Sequence, residues 1–181
     1  MKVCYSKKYY KYKGFFEQGL LQGKGTEETK EFDYVGDFKN EQKEGEGKIV
    51  YKILNDVYEG SFRNNSINGV GFYIWANKDT FKGEFLNGKM HGKGLYKWVD
   101  GGEYEGSYIN NIKEGFGKFK WTNGKIFEGQ FKSGNPHGQG NLTIHGETVA
   151  VEFDNGKLVK NKKNKMKKAE SKGILNNNNH V

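Results

Sequence analysis

The chain has one cysteine, Cys4, one proline, and no apolar run near the roughly 18 residues that a membrane-spanning helix requires. A lone cysteine forms no internal disulfide, and the residues after Met1-Lys2-Val3 lack the apolar stretch of a signal peptide. The expectation is therefore an intracellular, cytoplasmic protein that does not span a membrane and is not secreted. On that expectation the sequons Asn64-Asn65-Ser66 and Asn141-Leu142-Thr143 are chance matches in an Asn-rich chain. Hydrophobic residues make up 34% of the sequence, against roughly 45–50% in an average domain. Aliphatics are too sparse for a helical bundle or an α/β fold. No Gly-rich loop leads into Lys-Ser/Thr and a helix, no histidine pair has metal-ligand spacing, and Cys4 has no local catalytic context. No active site, metal or cofactor is expected.

What the chain does have is rings and glycine: aromatics are 15% of residues and there are 27 glycines. Both recur with a period. Aligned on a leading aromatic, copies begin at Tyr12, Tyr34, Tyr58, Phe81, Tyr104 and Phe127, with a degenerate seventh at Val149, in steps of 22 to 24 residues. A period that steady marks a repeat architecture, in which each unit must stack on its neighbours to bury its apolar face.

Within a unit the apolar residues alternate with a period of two, which predicts strands. In the copy FKGEFLNGKMHGKGLYKW, residues Phe81, Gly83 and Phe85 fall on one face of a first strand. Gly92, Gly94, Tyr96 and Trp98 fall on one face of a second, and Asn87-Gly88 between them signals a tight turn. Each unit is thus a β-hairpin. Glycine is a poor strand residue, so glycines at fixed phase need a reason. One reading gives them room beneath a ring from an adjacent strand; the other gives them bulges or twist, and the two can coexist. A meander of about 13 strands at roughly 4.8 Å spacing would span about 60 Å, a rod or curved ribbon. His91 and His137 share one repeat position with Gln22, Glu44, Asn68 and Glu114, and so read as polar turn residues.

The strings Tyr58-Glu59-Gly60-Ser61-Phe62, Tyr104-Glu105-Gly106-Ser107-Tyr108 and Asn87-Gly88-Lys89-Met90-His91-Gly92-Lys93-Gly94 resemble the MORN (membrane occupation and recognition nexus) repeat. The likeness runs from about Tyr12 to Val159. It departs at the ends, where Thr26 to Glu31 lack aromatics and Val151 stands in a glycine's place. The resemblance implies an all-β, single-layer twisted antiparallel sheet of about six stacked hairpins. Residues 1–11 read as a basic aromatic arm, 12–159 as the array, and 160–181 as a Lys/Asn-rich tail, disordered or with a short helix around 162–173.

Proteins similar in this way present a groove that takes up partner segments, at membranes, cortical cytoskeleton or cilia. Here the groove residues would be Tyr73, Trp75, Tyr96, Trp98, Phe119 and Trp121, with internal packing as the other reading. On the opposite face Val70, Phe72, Ile74, Leu95 and Phe116 form an apolar line that suits a second partner surface or is covered. The net charge of +8 is concentrated at the ends: +5 over residues 1–13 and +7 over 157–181. The cluster Lys160, Lys162, Lys163, Lys165, Lys167 and Lys168 suits anionic phospholipid more than nucleic acid, or an import receptor, or merely solubilises the chain. Arrays of this family also precede lipid kinase and methyltransferase domains; no such domain follows Val159 in this sequence. The last strand, with Val149, Val151 and Phe153, is expected to end the sheet in one of two ways. Either Lys157–Val159 folds back on it, or two copies join there as a homodimer, as similar arrays do.

Overall fold

A computed structural model describes residues 2–7 and 10–159. Those residues form one antiparallel sheet in which 15 strands lie side by side in sequence order. The strands are β1 Lys2–Lys7, β2 Tyr10–Glu17, β3 Leu20–Glu28, β4 Phe32–Lys39, β5 Gln42–Tyr51, β6 Asp56–Arg63, β7 Ser66–Ile74 and β8 Thr80–Leu86. They continue as β9 Lys89–Lys97, β10 Glu103–Ile109, β11 Ile112–Lys120, β12 Ile126–Lys132, β13 Asn135–Ile144, β14 Glu147–Asp154 and β15 Lys157–Val159. Strands β2 to β14 are the 13 that the period predicts. The two extra strands lie at the edges: β1, within the stretch read as an arm, pairs with β2, and β15 covers part of β14.

Each hairpin closes through two residues with positive φ, such as Asn87 at 50° and Gly88 at 76°, the backbone of a tight turn whose twist matches the strands. The register then slips. Gly83 lies opposite Gly94 but Phe85 lies opposite Met90, so β9 carries a bulge there. Gly92 sits in that bulge at φ 82°, a conformation that favours glycine.

Two strand positions away the glycine has the other use. The Phe81 ring lies across Gly83 and Gly94, where a Cβ would collide with it. Both readings of the glycines therefore hold, at different columns. The same ring-over-glycine pattern places Tyr34 over Gly36 and Gly47, Tyr58 over Gly60 and Gly71, Tyr104 over Gly106 and Gly117, and Phe127 over Gly129 and Gly140.

Every ring so placed is fully buried although the sheet has one layer, because glycine lets it lie flat and its neighbours close over it. The neighbours are rings too. Phe38, Tyr34, Phe62, Tyr58, Phe85, Phe81, Tyr108, Tyr104, Phe131, Phe127 and Phe153 touch in that order, all edge to face at centroid separations of 4.8–5.6 Å. Such pairs are worth about 0.5–1.5 kcal/mol beyond the area they bury. The core is one continuous ladder along one face.

At the ends the ladder is replaced. Tyr12 turns its hydroxyl to Glu27, and the space over Gly14 and Gly25 is taken by Leu21. At the other end Val149 has no ring to lay across position 151, so Val151 can carry a side chain and is buried. Phe153 is buried against Phe127, so Val151 and Phe153 finish the core. β15 pairs with Glu152, Phe153 and Asp154, the fold-back arrangement. The lysines from Lys160 to Lys168, and the helix considered over 162–173, lie outside the described residues.

Neighbouring units are also tied at their turns. The second turn residue of one unit donates its backbone N–H to a carbonyl of the unit before: Asn65 to Lys43, Gly88 to Ile67, Asn111 to Met90, Gly134 to Lys113, Gly156 to Pro136. The repeat position that His137 shares with Glu44 and Glu114 works alongside, whereas His91, at the same position, has its Nδ1 buried without a hydrogen-bond partner among the described residues. Glu44 accepts from Asn64 N, Glu114 from Ser133 N and His137 from Asn155 N. These are stacking ties between units.

Candidate partner-binding face

The second strands carry a second row of rings beside the buried ladder. Tyr73, Trp75, Tyr96, Trp98, Phe119 and Trp121 follow one another at centroid separations of 4.6–5.4 Å, tilted by 32–59°. These are the six residues that the repeat pattern singles out. All but Phe119, which is buried, are half-buried and packed on the core with part of their surface open. The row owes its course to the backbone. In the three units that have a tryptophan the strand ends just before it, and its N–H and carbonyl close the loop to the next unit, as in Trp98 N to Gly102 O and Gly101 N to Trp98 O.

Two of the tyrosines are anchored by buried carboxylates. Tyr73 donates to Asp56 Oδ2 at 2.8 Å and Tyr96 to Asp79 Oδ2 at 2.9 Å; the other oxygens accept the backbone N–H of Ala76 and Val99. Burial first, then these carboxylates, push both hydroxyls above their usual range, so they remain donors. The motif is absent from the next unit, where Gly102 stands in place of Asp79 and Phe119 in place of Tyr96.

Beside Trp98 the face opens into a pocket of about 510 Å³, with Met90, Tyr96, Trp98 and Tyr108 in its lining. Asn77, Asp79, Val99, Asp100, Asn111 and Lys113 line it as well. Val99 is 67% exposed at the loop. Lys113, half-buried, holds its ammonium 4.9 Å from the Phe119 ring centre, 5.2 Å from Trp98 and 5.6 Å from Tyr104. Burial lowers its pKa to about 8. Among the described residues no carboxylate lies within ion-pairing distance of it. Lys113 and the two anchoring aspartates are site features that the strand pattern alone does not single out.

The opposite face divides. Val70, Phe72 and Phe116 are exposed at 60%, 40% and 51%, whereas Leu95 and Ile74 are half-buried. Leu95 lies between Lys82 and Glu105 in the register, and Ile74 between Val57 and Thr80, so longer or branched neighbours flank both. The apolar line is therefore interrupted. Apart from Val35 and Val50, which are also exposed, the remaining outer positions are mostly charged or polar, with pairs such as Lys48–Glu59 at 3.5 Å and Lys24–Asp37 at 2.8 Å that contribute little to stability.

Among the described residues no helix is long and apolar enough to cross a membrane. Compared with known families, residues 12–29, 34–53, 58–80, 81–103, 104–126 and 127–144 each match the model described as MORN repeat, together more than half of the chain. No curated protein matches the chain.

Proposed function

The chain belongs to the MORN-repeat family, and we propose that it is a non-enzymatic interaction scaffold whose ring-bearing face takes up a segment of a partner protein. Repeats of this family are known from modules that contact proteins and membranes, and the proposal assigns the contact to one face. The observation that carries it is the row from Tyr73 to Trp121: its rings are held in register by the sheet, and all but Phe119 keep part of their surface open. Rigid, half-open aromatics give large contact area at little cost in side-chain entropy, which is why they dominate binding surfaces. A cytoplasmic setting, at a membrane surface or in the cortical cytoskeleton, suits such a scaffold.

The test is affinity capture by the full chain, by Trp98→Ala and by Phe116→Ala on the opposite face. Partners lost with Trp98→Ala and retained with Phe116→Ala support the reading; the reverse pattern moves the contact to the other face. A second reading is favoured by the six lysines from Lys160 to Lys168. Each lysine near an anionic leaflet contributes on the order of 1 kcal/mol, so the cluster would hold the scaffold at such a membrane. Salt-sensitive co-sedimentation with phosphatidylserine vesicles, lost when residues 160–181 are removed, is the expected result. A homodimer through β14 is a third element of the proposal, checked by light scattering.

A further inference from the structure

The repeat provides its own control for what belongs beside Lys113. Counting nine residues from the leading aromatic, the units carry Leu21, Lys43, Ile67, Met90, Lys113 and Pro136. Only two of these are cations. Lys43 is buried over the Phe32 and Tyr34 rings, at 4.6 and 5.2 Å, and is neutralised by Glu27, whose other oxygen accepts from Tyr12. Glu27 stands fifteen residues after its leading aromatic, the place that Tyr96 fills in the unit preceding Lys113. Lys113 thus lies on the same kind of ring bed, but the chain supplies a phenol where the earlier unit supplies a carboxylate. A desolvated cation without its counter-charge is costly, and an arriving anion would recover much of that cost.

The pocket beside it limits what can arrive. Lys113 is its one cation, and its two carboxylates keep their charge but are turned to neutral donors: Asp79 accepts from Tyr96, Val99 and Asn77, and Asp100 accepts from Gly102 N. The remaining surface is largely ring and aliphatic. A single negative charge on a short stem fits next to Lys113, with apolar groups on either side.

We propose that this pocket takes the carboxylate of a Glu or Asp in an extended segment of a partner protein, pairing it with Lys113 while adjoining apolar side chains rest on Trp98 and Val99. This rests on the reading of the ring-bearing face as a partner surface and adds the chemistry of the anchor. The acidic side chain takes, from another molecule, the part that Glu27 plays for Lys43.

The test uses the full chain and an array of twelve-residue peptides, apolar and unstructured, each made with Glu, Gln or phosphoserine at its centre. Vesicles of phosphatidylserine form a separate arm. Three variants are compared with wild type: Lys113→Met, Lys118→Met on the opposite face, and Trp98→Ala. Methionine is chosen because Met90 already fills the equivalent position, and a Tm no lower than that of wild type confirms that the variant folds. The expected result is at least tenfold preference for Glu over Gln peptides in wild type and Lys118→Met. That preference is lost in Lys113→Met, which keeps the weaker binding of the Gln peptides. Equal binding of Glu and Gln peptides, with dependence on Trp98, would overturn the anchor while leaving the ring-bearing face as a partner surface. No binding of any peptide would overturn both. Lys113-dependent retention of phosphoserine peptides or vesicles alone would replace the carboxylate by a phosphate and refute the proposal as stated.

Discussion

Lys43 and Lys113 occupy the same position of their repeats, both lie over aromatic rings, and only the first has a carboxylate beside it. The N-terminal region of the sheet is thereby closed: Tyr12, Glu27 and Lys43 form a chain of polar contacts over the first units. In the region from β8 to β11 the corresponding place is open and lined by Tyr96, Trp98 and Lys113. The backbone is alike in both, with the same turns and bulges. What differs is one column of side chains, which teaches that in this fold the hairpin supplies the platform and single substitutions in the second-strand row decide whether a unit is sealed or receptive.

The largest expected effect comes from breaking the closed half. Replacing Glu27 by Leu leaves the Lys43 ammonium buried without a partner, which should destabilise the protein by about 3–5 kcal/mol. Adding Lys43→Met should restore most of that, since a buried pair removed as a whole costs little; urea unfolding of both variants checks it. If the single and double variants unfold alike, the pair does not seal this end.

A smaller effect, on the order of 1–3 kcal/mol, is expected for Gly94→Val, because a side chain there would displace the Phe81 ring. Lys93→Val, on the opposite face and exposed, should be nearly neutral. Equal shifts in thermal midpoint for the two would contradict the facing of the strand. Next comes Asp79→Ala, which strips the Tyr96 hydroxyl and the Val99 N–H of their acceptor and should cost about 1–3 kcal/mol. Asp79→Gly combined with Tyr96→Phe reproduces the natural pair Gly102 and Phe119 and should cost less than the two single changes together, a coupling that a double-mutant cycle measures.

Much of this was legible before any coordinates. The period, the hairpin, the buried columns and the six-ring row follow from Tyr, Phe and Gly recurring at fixed phase, since a single-layer sheet offers one way to bury a ring. The polar part was legible only by comparing units with one another. Tyr73 and Tyr96 occur where Asp56 and Asp79 stand two residues before the leading aromatic, while Phe119 accompanies Gly102. That correlation is in the sequence, but strand alternation does not register it. Lys113 stayed hidden for another reason: alternation from Gly115 and Gly117 does put it on the ring side, opposite Tyr108, but a lysine two residues past a turn reads as solvated polarity until the Trp98, Tyr104 and Phe119 rings are placed beside it. The ties between turns were hidden likewise, since Glu44, Glu114 and His137 look like ordinary loop polarity until the next unit's turn is placed beside them.

The smallest expected effect is on pH dependence. Burial lowers the Lys113 pKa to about 8, so between about pH 8 and the ordinary lysine pKa the unfolded chain binds the proton that the folded one has released. Stability should therefore rise with pH over that window. Tyr96, Tyr104 and Tyr108, which share that face, are all raised by burial, so tyrosine ionisation acts oppositely as the pH passes about 10. Asp79 and Asp100 are the carboxylates nearby. Urea midpoints at pH 7.5 and 9.5 should show the gain in wild type and its loss in Lys113→Met.

The most direct test of the contrast between the closed and open regions is the titration of Lys113 itself in the free protein. Its ε-methylene carbon can be followed by NMR and assigned by the signal missing from Lys113→Met. An ammonium held on rings without a counter-charge should titrate with a midpoint of about 8. A midpoint in the ordinary lysine range, near about 10.4, would mean that water or a carboxylate already satisfies Lys113, and that the open region is not open.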